Sequence, residues 1–427
     1  MRGQILLSGS CGLQDNWKKV QILSKKGMGY GASIISADRC VSCTTFNILA
    51  PIYKRLDEED PSCRESQYRA RWLNRNQSII DRLLLERSSI ICLQEVWLGN
   101  DELVGMYEKS LGDAGYIILK LARTNDRGDD RVAQLLHVES VVPLWQSGTC
   151  NVQQVLIVNT HLLFPHNYTL SIVRLRQVYK ILQCVETYQK EHKLNPMPVI
   201  LCGDWNGSKR GHVYKFLSSQ GFLSSYDIAH QHNDSVADTD KWVSHRNHRG
   251  NICGVDFIWL FNPCKHWKPL RSSWNETLFE IVKYLLRQAS LTERNAFAFL
   301  KADNPGGHIT IASFCQALCQ LGLTGHPNGL NTEEMEDLWL HADIDGKGYL
   351  DYGEFERIWN AKCLEKSVKM VEESEISHSI NESKAFGFIV KSAALFPPEV
   401  ENGVWPENYF LSDHAPLTVL FSPVRML

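Results

Sequence analysis

The stretch ILCGDWNGS, residues 200–208, is an apolar run of β character that stops at a glycine, an aspartate and an asparagine. This pattern predicts a buried strand that ends by presenting Asp204 and Asn206 on one side. A single tip of this kind carries little information. Its significance depends on whether other strands of the chain end in the same way.

Five further apolar runs end in, or contain, polar side chains. They are Asn47 after CTTF, Glu95 after ICLQ, His161 after IVNT, Asp256 within GVDFIWL, and Asp413 with His414 after FLS. Each alone has a structural interpretation, for example as a turn residue or as an acid at a helix N-terminus. Asp256 resists that interpretation, because a buried carboxylate is costly unless it is paired or binds a cation. The occurrence of all these tips in one chain predicts a common site.

The side chains at these tips share one kind of chemistry. They supply four carboxylates, two amides and two imidazoles, and hard oxygen donors suit Mg²⁺ or Mn²⁺ rather than zinc. Such a centre fits the attack of water on a phosphorus ester, in which the metal neutralises the phosphate and a base activates the water. The sequence contains no Ser-His-Asp pattern, P-loop or glycine-rich dinucleotide turn that would compete for this role.

Length and charge limit the classes of protein to consider. With 427 residues the chain exceeds the ~250–300 residues of a single growing core, so more than one unit is expected. The formal net charge of −3 means that attraction to a nucleic acid must be local. No apolar run approaches the ~20 residues that cross a bilayer. The 13 scattered cysteines are typical of a reduced intracellular protein, in the cytoplasm or nucleus.

The first 40 residues are an N-terminal extension in this interpretation. Residues 1–37 contain a single acid, Asp15, together with several serines and lysines. This composition is typical of a chloroplast or mitochondrial transit peptide, and a disordered extension is the alternative.

The rest of the chain divides into an interrupted α/β unit and an insert. Over residues 41–267 short β runs alternate with amphipathic helices, which predicts an α/β layered architecture. Residues 268–384 are mostly helical in pattern, and residues 385–427 return to strand. The sequence therefore predicts a helical insert at a loop of the α/β unit.

Six ordered motifs carry a family resemblance. TFNIL, LQEV, NTHL, GDWN, VDFIW and SDHAPL resemble, in this order, the motifs of the endonuclease/exonuclease/phosphatase superfamily. Within it the chain is most similar to the deadenylase-like branch of nocturnin and the carbon-catabolite-repressor deadenylases, in particular to a plant-type group of calcium-binding members with EF-hands. The resemblance implies a two-layer β-sandwich flanked by helices, with the site at its rim.

The resemblance also implies a role for each tip. Glu95, helped by Asn47, and Asp413 would bind the metal. Asp204 and Asn206 would position the water and the scissile phosphate, and His161 would contact the phosphate or the leaving group. His414, oriented by Asp256, would act in proton transfer or charge stabilisation.

One segment departs from the family pattern. RGDDRVAQ, around Asp129 and Asp130, joins two β runs where the family ordinarily has further strand material. This departure predicts a sandwich short of a central strand, with unpaired edges that would disturb the rim.

The insert contains a twelve-residue stretch, DIDGKGYLDYGE at 343–354, that matches an EF-hand loop. Its predicted calcium positions are Asp343, Asp345, Lys347, Tyr349 through its carbonyl, and Glu354. Lys347 departs from the pattern by placing a positive charge at position 5, which lowers the expected calcium affinity. The stretch at 302–313, ADNPGGHITIAS, lacks end carboxylates and is expected to be a structural mate without an ion. Calcium binding could shift the strand that carries Asp413 and His414.

Local positive charge suggests where a phosphate chain would bind, and solvated loop and helix faces are the alternative interpretation. Arg246 and Arg249 precede Asp256, and three further arginines lie on the helix that follows residue 68, Arg69, Arg71 and Arg75. Tyr168, Trp205 and Trp242 could stack bases, although core packing is the commoner role of such side chains.

By resemblance the expected activity is an RNA 3′-exonuclease with no membrane span. The alternatives are a phosphatase acting on a small nucleotide or a phosphoinositide, and a calcium-responsive interaction protein with an inactive nuclease-like core.

Overall fold

A computed structural model describes most of the chain. The described residues are 4–8, 18–22, 40–57, 59–60, 62–121, 133–143, 150–164, 170–230, 242–263, 268–302, 306–360 and 386–426. Across these ranges, every helix falls short of the length and apolar character that a bilayer crossing requires.

Sixteen strands are described. In chain order they are β1 (Gln4–Ser8), β2 (Lys18–Ile22), β3 (Val41–Asn47), β4 (Ile90–Gln94), β5 (Ile117–Leu121), β6 (Ala133–Pro143), β7 (Cys150–His161), β8 (Val199–Asp204), β9 (Leu223–Ser224), β10 (His245–Arg246), β11 (Ile252–Cys253), β12 (Asp256–Phe261), β13 (Ile309–Thr310), β14 (Tyr349–Leu350), β15 (Phe386–Leu395) and β16 (Leu417–Arg425).

Ten α-helices are described between these strands. They are α1 (Arg69–Glu86), α2 (Asp101–Asp113), α3 (Leu170–Glu191), α4 (His212–Ser219), α5 (Ser225–His230), α6 (Leu270–Gln288), α7 (Glu293–Lys301), α8 (Ile311–Gln320), α9 (Thr332–Ala342) and α10 (Tyr352–Asn360).

Two six-stranded mixed sheets form the core. The first has the order β15-β16-β3-β4-β1-β5, and the second has the order β2-β6-β7-β8-β12-β9. Strands β4 and β8 are buried along their whole length, which explains their continuous apolar sequences. The sheets face each other, since Cys43 Sγ lies 3.4 Å from Cys202 Sγ and Gln94 Nε2 donates to Asn159 Oδ1 at 2.7 Å. Mixed sheets flanked by helices confirm the predicted α/β class.

The N-terminal segment contributes a strand to each sheet. β1 lies between β4 and β5 and runs parallel to both, and β2 runs parallel to β6. The sequence had predicted an extension here and a missing central strand near Asp129 and Asp130. Those two acids lie outside the described residues, but β4 and β5 are bridged by β1. The first sheet therefore includes a strand from the N-terminal segment that the sequence did not predict.

Helices α6 to α10, residues 270–360, form a helical module. α7 and α8 flank one loop, residues 302–313, and α9 and α10 flank another, residues 343–354, which we call the first and second loops. β13 and β14 join the two loops by antiparallel pairing of Ile309 with Leu350. After residues 361–385, which are outside the described ranges, β15 returns the chain to the first sheet.

The helical module is anchored to the core through α3, and its own α6 is bonded to α9. Arg176 on α3 donates to both carboxylate oxygens of Glu334 on α9, at 3.1 and 2.8 Å, and to the carbonyl of Gly329 at 3.1 Å. On α6, Arg271 pairs with Asp337, whose carbonyl accepts from Asn275. The module therefore contacts the helix that follows β7.

Candidate active site

The polar tips meet at one rim because the strand registers bring them together. In the parallel pair β7–β8 His161 lies opposite Asp204, and in the antiparallel pair β8–β12 Asp256 lies opposite Asp204. Asn47 ends β3 at the level of Gln94, the residue before Glu95. We call the site formed here the rim, and its members are Asn47, Glu95, His161, Asp204, Asn206, Asp256, Asp413 and His414.

Local backbone conformation explains the side-chain directions of two motif residues and the glycine at position 203. Glu95 and Asn206 have φ values of +56° and +46°, so both side chains turn away from the direction of their strands. Gly203 has φ of +142°, and a β-carbon there would lie 1.8 Å from the carbonyl oxygen of Thr160. Only glycine allows β8 to pass so close to β7 immediately before Asp204.

Asp204 is the hub of the rim and is 1% exposed. Its Oδ2 atom accepts from Asn47 Nδ2 at 3.1 Å and lies 3.3 Å from His161 Nε2 and 3.6 Å from His414 Nε2. Burial acts to raise the pKa of Asp204, but the charges of His414 and His161 outweigh burial and lower it. Asp204 is therefore ionised.

Glu95 lies beside this hub. Its Oε1 atom accepts from Asn47 Nδ2 at 3.1 Å and lies 3.9 Å from His161 Nε2. Its Oε2 atom is buried and has no hydrogen-bond partner among the described residues. Asn47 turns its nitrogen toward both carboxylates, while its Oδ1 accepts from Leu49 N at 3.0 Å. As placed, Asn47 orients Glu95 and Asp204 and keeps its own oxygen on the backbone.

His414 is held by Asp256. Its Nδ1 atom lies 2.9 Å from Asp256 Oδ2, which also accepts from Ser244 Oγ at 2.7 Å. Burial raises the pKa of Asp256 to about 6 against the opposing charge of His414. Burial acts to lower the pKa of His414, but the charges of Asp256 and Asp204 raise it well above its usual value. With Nδ1 held, His414 directs Nε2 toward Asp204 and toward Asp413, whose Oδ1 lies 4.0 Å away.

Asn206 is tied to the backbone around Asp204. Its amide N–H donates to Asp204 Oδ1 at 2.9 Å, and its side-chain Nδ2 donates to the carbonyl of Leu162 at 2.9 Å. The side-chain oxygen is the group that this arrangement leaves for another contact at the rim.

His245, which belongs to the same basic stretch as Arg246 and Arg249, lies beside the rim although it is outside the six motifs. Its ring stacks on that of His414 with centroids 4.3 Å apart, and its Nε2 lies 3.9 Å from Asp413 Oδ2. Burial and the charge of His414 lower the pKa of His245 to about 4. An isolated antiparallel backbone bridge joins His245 to His414. Because the two residues are far apart in sequence, their contact could not be read from the local pattern.

The arginines of the β10–β11 hairpin lie beside the rim. The backbone N–H of Arg246 donates to the carbonyl of Asp413 at 2.9 Å, which places its exposed side chain at the edge of the site. Arg249 is exposed in the turn between Asn247 and Asn251.

The arginines of α1 do not form the predicted phosphate clamp. Arg75 is 4% exposed and pairs with buried Glu65 at 2.6 Å. It also donates to the carbonyls of Ile48, Leu49 and Leu411, each at 2.7 Å. Arg75 therefore ties the segment after Asn47 to the segment before Asp413. Arg69 pairs with Glu102 on the surface, and Arg71 lies over the ring of Tyr68.

Arg174 is a second residue that the motifs missed. Its Nε and Nη1 atoms are buried without a hydrogen-bond partner in the described part of the chain. Burial lowers its pKa to about 10 against the opposing charge of Asp204. A buried cation on α3 with free donors and electrostatic contact with Asp204 is suited to an anionic ligand. Its signal in the sequence was a charged residue beside the apolar positions Ile172 and Leu175.

The predicted base-stacking residues do not present free rings. Trp205 and Trp242 are 1% and 4% exposed and pack in the core, and Tyr168 lies outside the described residues.

The donor set of the rim fits a hard divalent cation. Within the described ranges only histidines lie within ion-pair distance of Glu95, Asp204 and Asp413. Asp413 is 33% exposed and Glu95 Oε2 has no hydrogen-bond partner in the described part of the chain, so two carboxylates are available there. Carboxylates without a lysine or arginine partner need positive charge, and their oxygens are the ligands that Mg²⁺ and Mn²⁺ prefer.

The second loop does not fit a cation in the same way. Ligand oxygens of Asp343, Asp345 and Glu354 lie within 4.8 Å of one another. Lys347 directs its ammonium into this group and contacts Glu354 at 2.7 Å. In the first loop, position 12 is Ser313, which forms a capping box with Thr310 and offers no carboxylate.

Two layered sheets whose strand ends bring acids, amides and imidazoles to one rim are the architecture of a class of phosphoric ester hydrolases. This chain belongs to the Endonuclease/Exonuclease/phosphatase family, whose sequence model matches residues 44–272. An uncharacterized calcium-binding protein of Arabidopsis thaliana is 57% identical over 414 residues, covering 91% of this chain and 85% of that protein.

Two solved structures are similar at a greater distance. The human nocturnin catalytic domain with bound sulfate anion is 18% identical, with a TM-score of 0.32 over 53% of this chain and 84% of that chain. ANGEL2, a 2′,3′-cyclic phosphatase in complex with adenosine-2′,3′-vanadate, is 17% identical, with a TM-score of 0.35 over 52% of this chain and 84% of that chain.

Proposed function

We propose that this protein is a magnesium-dependent phosphodiesterase whose substrate is RNA and which acts as a 3′-exonuclease of the deadenylase-like type. The observation that carries the proposal is the rim itself. Its carboxylates have histidines as their only ionic partners among the described residues, and the Oε2 atom of Glu95 is buried without a partner. A buried acceptor in this condition is costly unless a ligand satisfies it.

Glu95 and Asp413 would hold the cation, with Asn47 orienting Glu95 through its 3.1 Å hydrogen bond. When bound, Mg²⁺ or Mn²⁺ neutralises the phosphate and polarises its oxygens. Asp204, ionised and 3.3 Å from His161, orients the attacking water. His414, fixed by Asp256, presents its Nε2 proton to a phosphate oxygen, and the side-chain oxygen of Asn206 helps to place the water.

The chain offers separate groups for the rest of the substrate. Arg174 Nε and Nη1 are buried without a hydrogen-bond partner among the described residues, and Arg246 is exposed beside Asp413, with Arg249 exposed in the same hairpin. Several cations outside the carboxylate cluster suit a chain of phosphates better than an isolated one. This distribution of charge favours RNA over a small nucleotide or a phosphoinositide.

The helical module is, in this proposal, an EF-hand pair of the plant-type calcium-binding group. Its support is the helix–loop–helix order on both sides of the β13–β14 pairing and the position of Gly348, which has φ of +82° at position 6 of the second loop. Calcium binding at Asp343, Asp345, Tyr349 and Glu354 would require the Lys347 ammonium to leave the loop.

Hydrolysis assays on the full chain test the proposal. End-labelled poly(A) RNA, single-stranded DNA and a phosphoinositide are each incubated with magnesium and wild-type protein, Glu95→Gln, or the surface control Glu191→Gln. We expect stepwise 3′ shortening of RNA that Glu95→Gln reduces at least about 100-fold and that Glu191→Gln leaves unchanged.

Two other results would contradict the proposal. Cleavage of RNA by Glu95→Gln at the wild-type rate would remove the metal role of the rim. Absence of hydrolysis on every substrate would favour the alternative of an interaction protein with an inactive nuclease-like core.

A further inference from the structure

The second loop contains a cation of its own. The Lys347 ammonium lies 2.7 Å from Glu354 Oε2, 2.9 Å from Asp351 Oδ2 and 3.2 Å from Asp345 Oδ2. A lysine ammonium has three N–H donors and no acceptor, so three carboxylates match its hydrogen-bonding capacity. The side chain is 23% exposed, whereas Glu354, which it contacts at the shortest distance, is 3% exposed.

Other carboxylates of the loop accept hydrogen bonds from its own backbone, although Glu354 Oε1 is buried and has no hydrogen-bond partner among the described residues. Asp343 accepts from the backbone N–H groups of Lys347 at 3.1 Å and Gly348 at 2.8 Å. Asp351 and Glu354 cap each other, since each carboxylate accepts from the backbone N–H of the other, at 2.9 and 3.2 Å. The loop therefore keeps its compact form, with α9 and α10 in place, through bonds that the chain itself supplies.

This arrangement conflicts with a resident calcium ion. Calcium binds about six to eight oxygens, and two of the three predicted carboxylate ligands, Asp345 and Glu354, contact the ammonium instead. A calcium ion placed among Asp345, Asp351 and Glu354 would be repelled by the positive charge of Lys347, which belongs to the same loop. Entry of the ion would require the lysine to withdraw and would break three ion pairs.

We infer that the Lys347 ammonium is the resident cation of the second loop, so that this EF-hand-like module is built and docked on the core without calcium. Calcium competes with Lys347 for the loop carboxylates and binds weakly. Lys347 thus converts a calcium loop into a calcium-independent structural element, in contrast to what the name of the Arabidopsis relative describes for that protein.

Calorimetric calcium titration of the full chain at fixed magnesium tests this inference. Wild type is compared with Lys347→Asp, which restores an oxygen ligand at position 5, and with Lys109→Asp, the same charge change on the exposed face of α2. We expect wild type and Lys109→Asp to bind calcium more weakly than about 10⁻⁴ M, and Lys347→Asp to bind at least about 100-fold more tightly. Wild-type affinity in the range of calcium sensors, about 10⁻⁷–10⁻⁵ M, or no gain in Lys347→Asp, would overturn the inference.

A second variant covers the case in which Lys347→Asp does not fold. Lys347→Gln removes the cation without adding a carboxylate, and Lys109→Gln is its control. Hydrogen–deuterium exchange of residues 343–354 in chelator should be faster in Lys347→Gln than in wild type, and added calcium should slow it. Equal protection of wild type and Lys347→Gln in chelator would overturn the inference. Neither readout involves hydrolysis, so the result is independent of the proposed phosphodiesterase activity.

Discussion

The rim and the second loop both gather carboxylates, but they balance the negative charge differently. At the rim, Glu95 and Asp204 lie within ion-pair distance of histidines alone among the described residues, and one oxygen of Glu95 has no partner. In the second loop, three carboxylates contact the ammonium of Lys347. This difference supports the proposals that the rim binds an external cation and that the second loop does not need one.

The different partners of these carboxylates show that a cluster of acids does not by itself define a metal site. The position of the nearest side-chain cation decides whether an ion is needed. Near the rim, Arg75 forms an ion pair with Glu65 and donates to backbone carbonyls instead of pairing with a rim carboxylate. Arg174 is partly buried, and its Nε and Nη1 atoms have no hydrogen-bond partner among the described residues. In the second loop a lysine on a flexible stem reaches back into its own loop.

The largest expected effect separates the two clusters directly. Asp204→Asn removes the charge that faces both His161 and His414, and should lower kcat/KM for magnesium-dependent RNA hydrolysis at least about 1,000-fold. The matched change Asp345→Asn, in the exposed part of the second loop, should alter it by less than about twofold. Steady-state kinetics on labelled RNA measure both. Equal losses in the two variants would erase the distinction between rim and loop.

Removal of the Arg75 cation tests whether Arg75 holds the segment after Asn47 against the segment before Asp413. Arg75→Gln leaves Glu65 buried without its partner and frees three backbone carbonyls, so we expect a loss of about 3–5 kcal/mol in the free energy of unfolding. Arg69→Gln, which breaks the exposed pair with Glu102, should cost no more than about 1 kcal/mol. Urea denaturation monitored by circular dichroism gives both values. Similar small losses would show that Arg75 does not organise the rim.

Asp256→Asn sharpens the role of the histidine at the rim. The variant removes the carboxylate that holds His414 Nδ1 at 2.9 Å, and should lower kcat/KM about 10–100-fold through loss of orientation. Ser244→Ala, which removes only the hydroxyl that donates to Asp256, should have a smaller effect in the same direction. If Asp256→Asn retained wild-type kinetics, His414 would not depend on this pair.

The smallest expected effect concerns calcium. Because the Lys347 ammonium already contacts the carboxylates of the second loop, we expect little calcium to bind there. Hydrolysis at fixed magnesium should therefore differ by less than about twofold between chelator and ~10 µM calcium, a level in the range of sensor loops. Rates on labelled RNA under the two conditions provide the measurement. A severalfold change would mean that calcium reaches the module and acts on the core through α3 or α6.

The strands that could be predicted from the sequence were those with a strong local pattern. β8 was evident from ILCGD because a strand buried on both faces has a continuous apolar sequence. The strands β1 and β2 were not predicted, because their partners β4, β5 and β6 are far away in sequence and the segment is rich in serine and lysine. Sheet pairing at that distance is decided by tertiary context, which local composition does not contain.

The same limit applies to the candidate site. The tips at Glu95 and Asp204 could be grouped from strand ends alone, since parallel and antiparallel registers bring such ends together. Asp413 was expected at the end of a strand but lies before β16, which begins at Leu417. Burial of Arg75 could not be deduced from the spacing in α1, because its bonds to Leu49 and Leu411 depend on loops that fold over the helix. The position of Lys347 was visible as a departure from the loop pattern, but its contact with the carboxylates required three-dimensional geometry.

Binding of Mn²⁺ followed by electron paramagnetic resonance tests the central claim most directly, because it reports an external cation at the rim without requiring a substrate. Wild type and Lys347→Asp should both bind Mn²⁺ at the rim, and Glu95→Gln should lose this binding while remaining folded by circular dichroism. Mn²⁺ binding in Glu95→Gln equal to that of wild type would contradict the account.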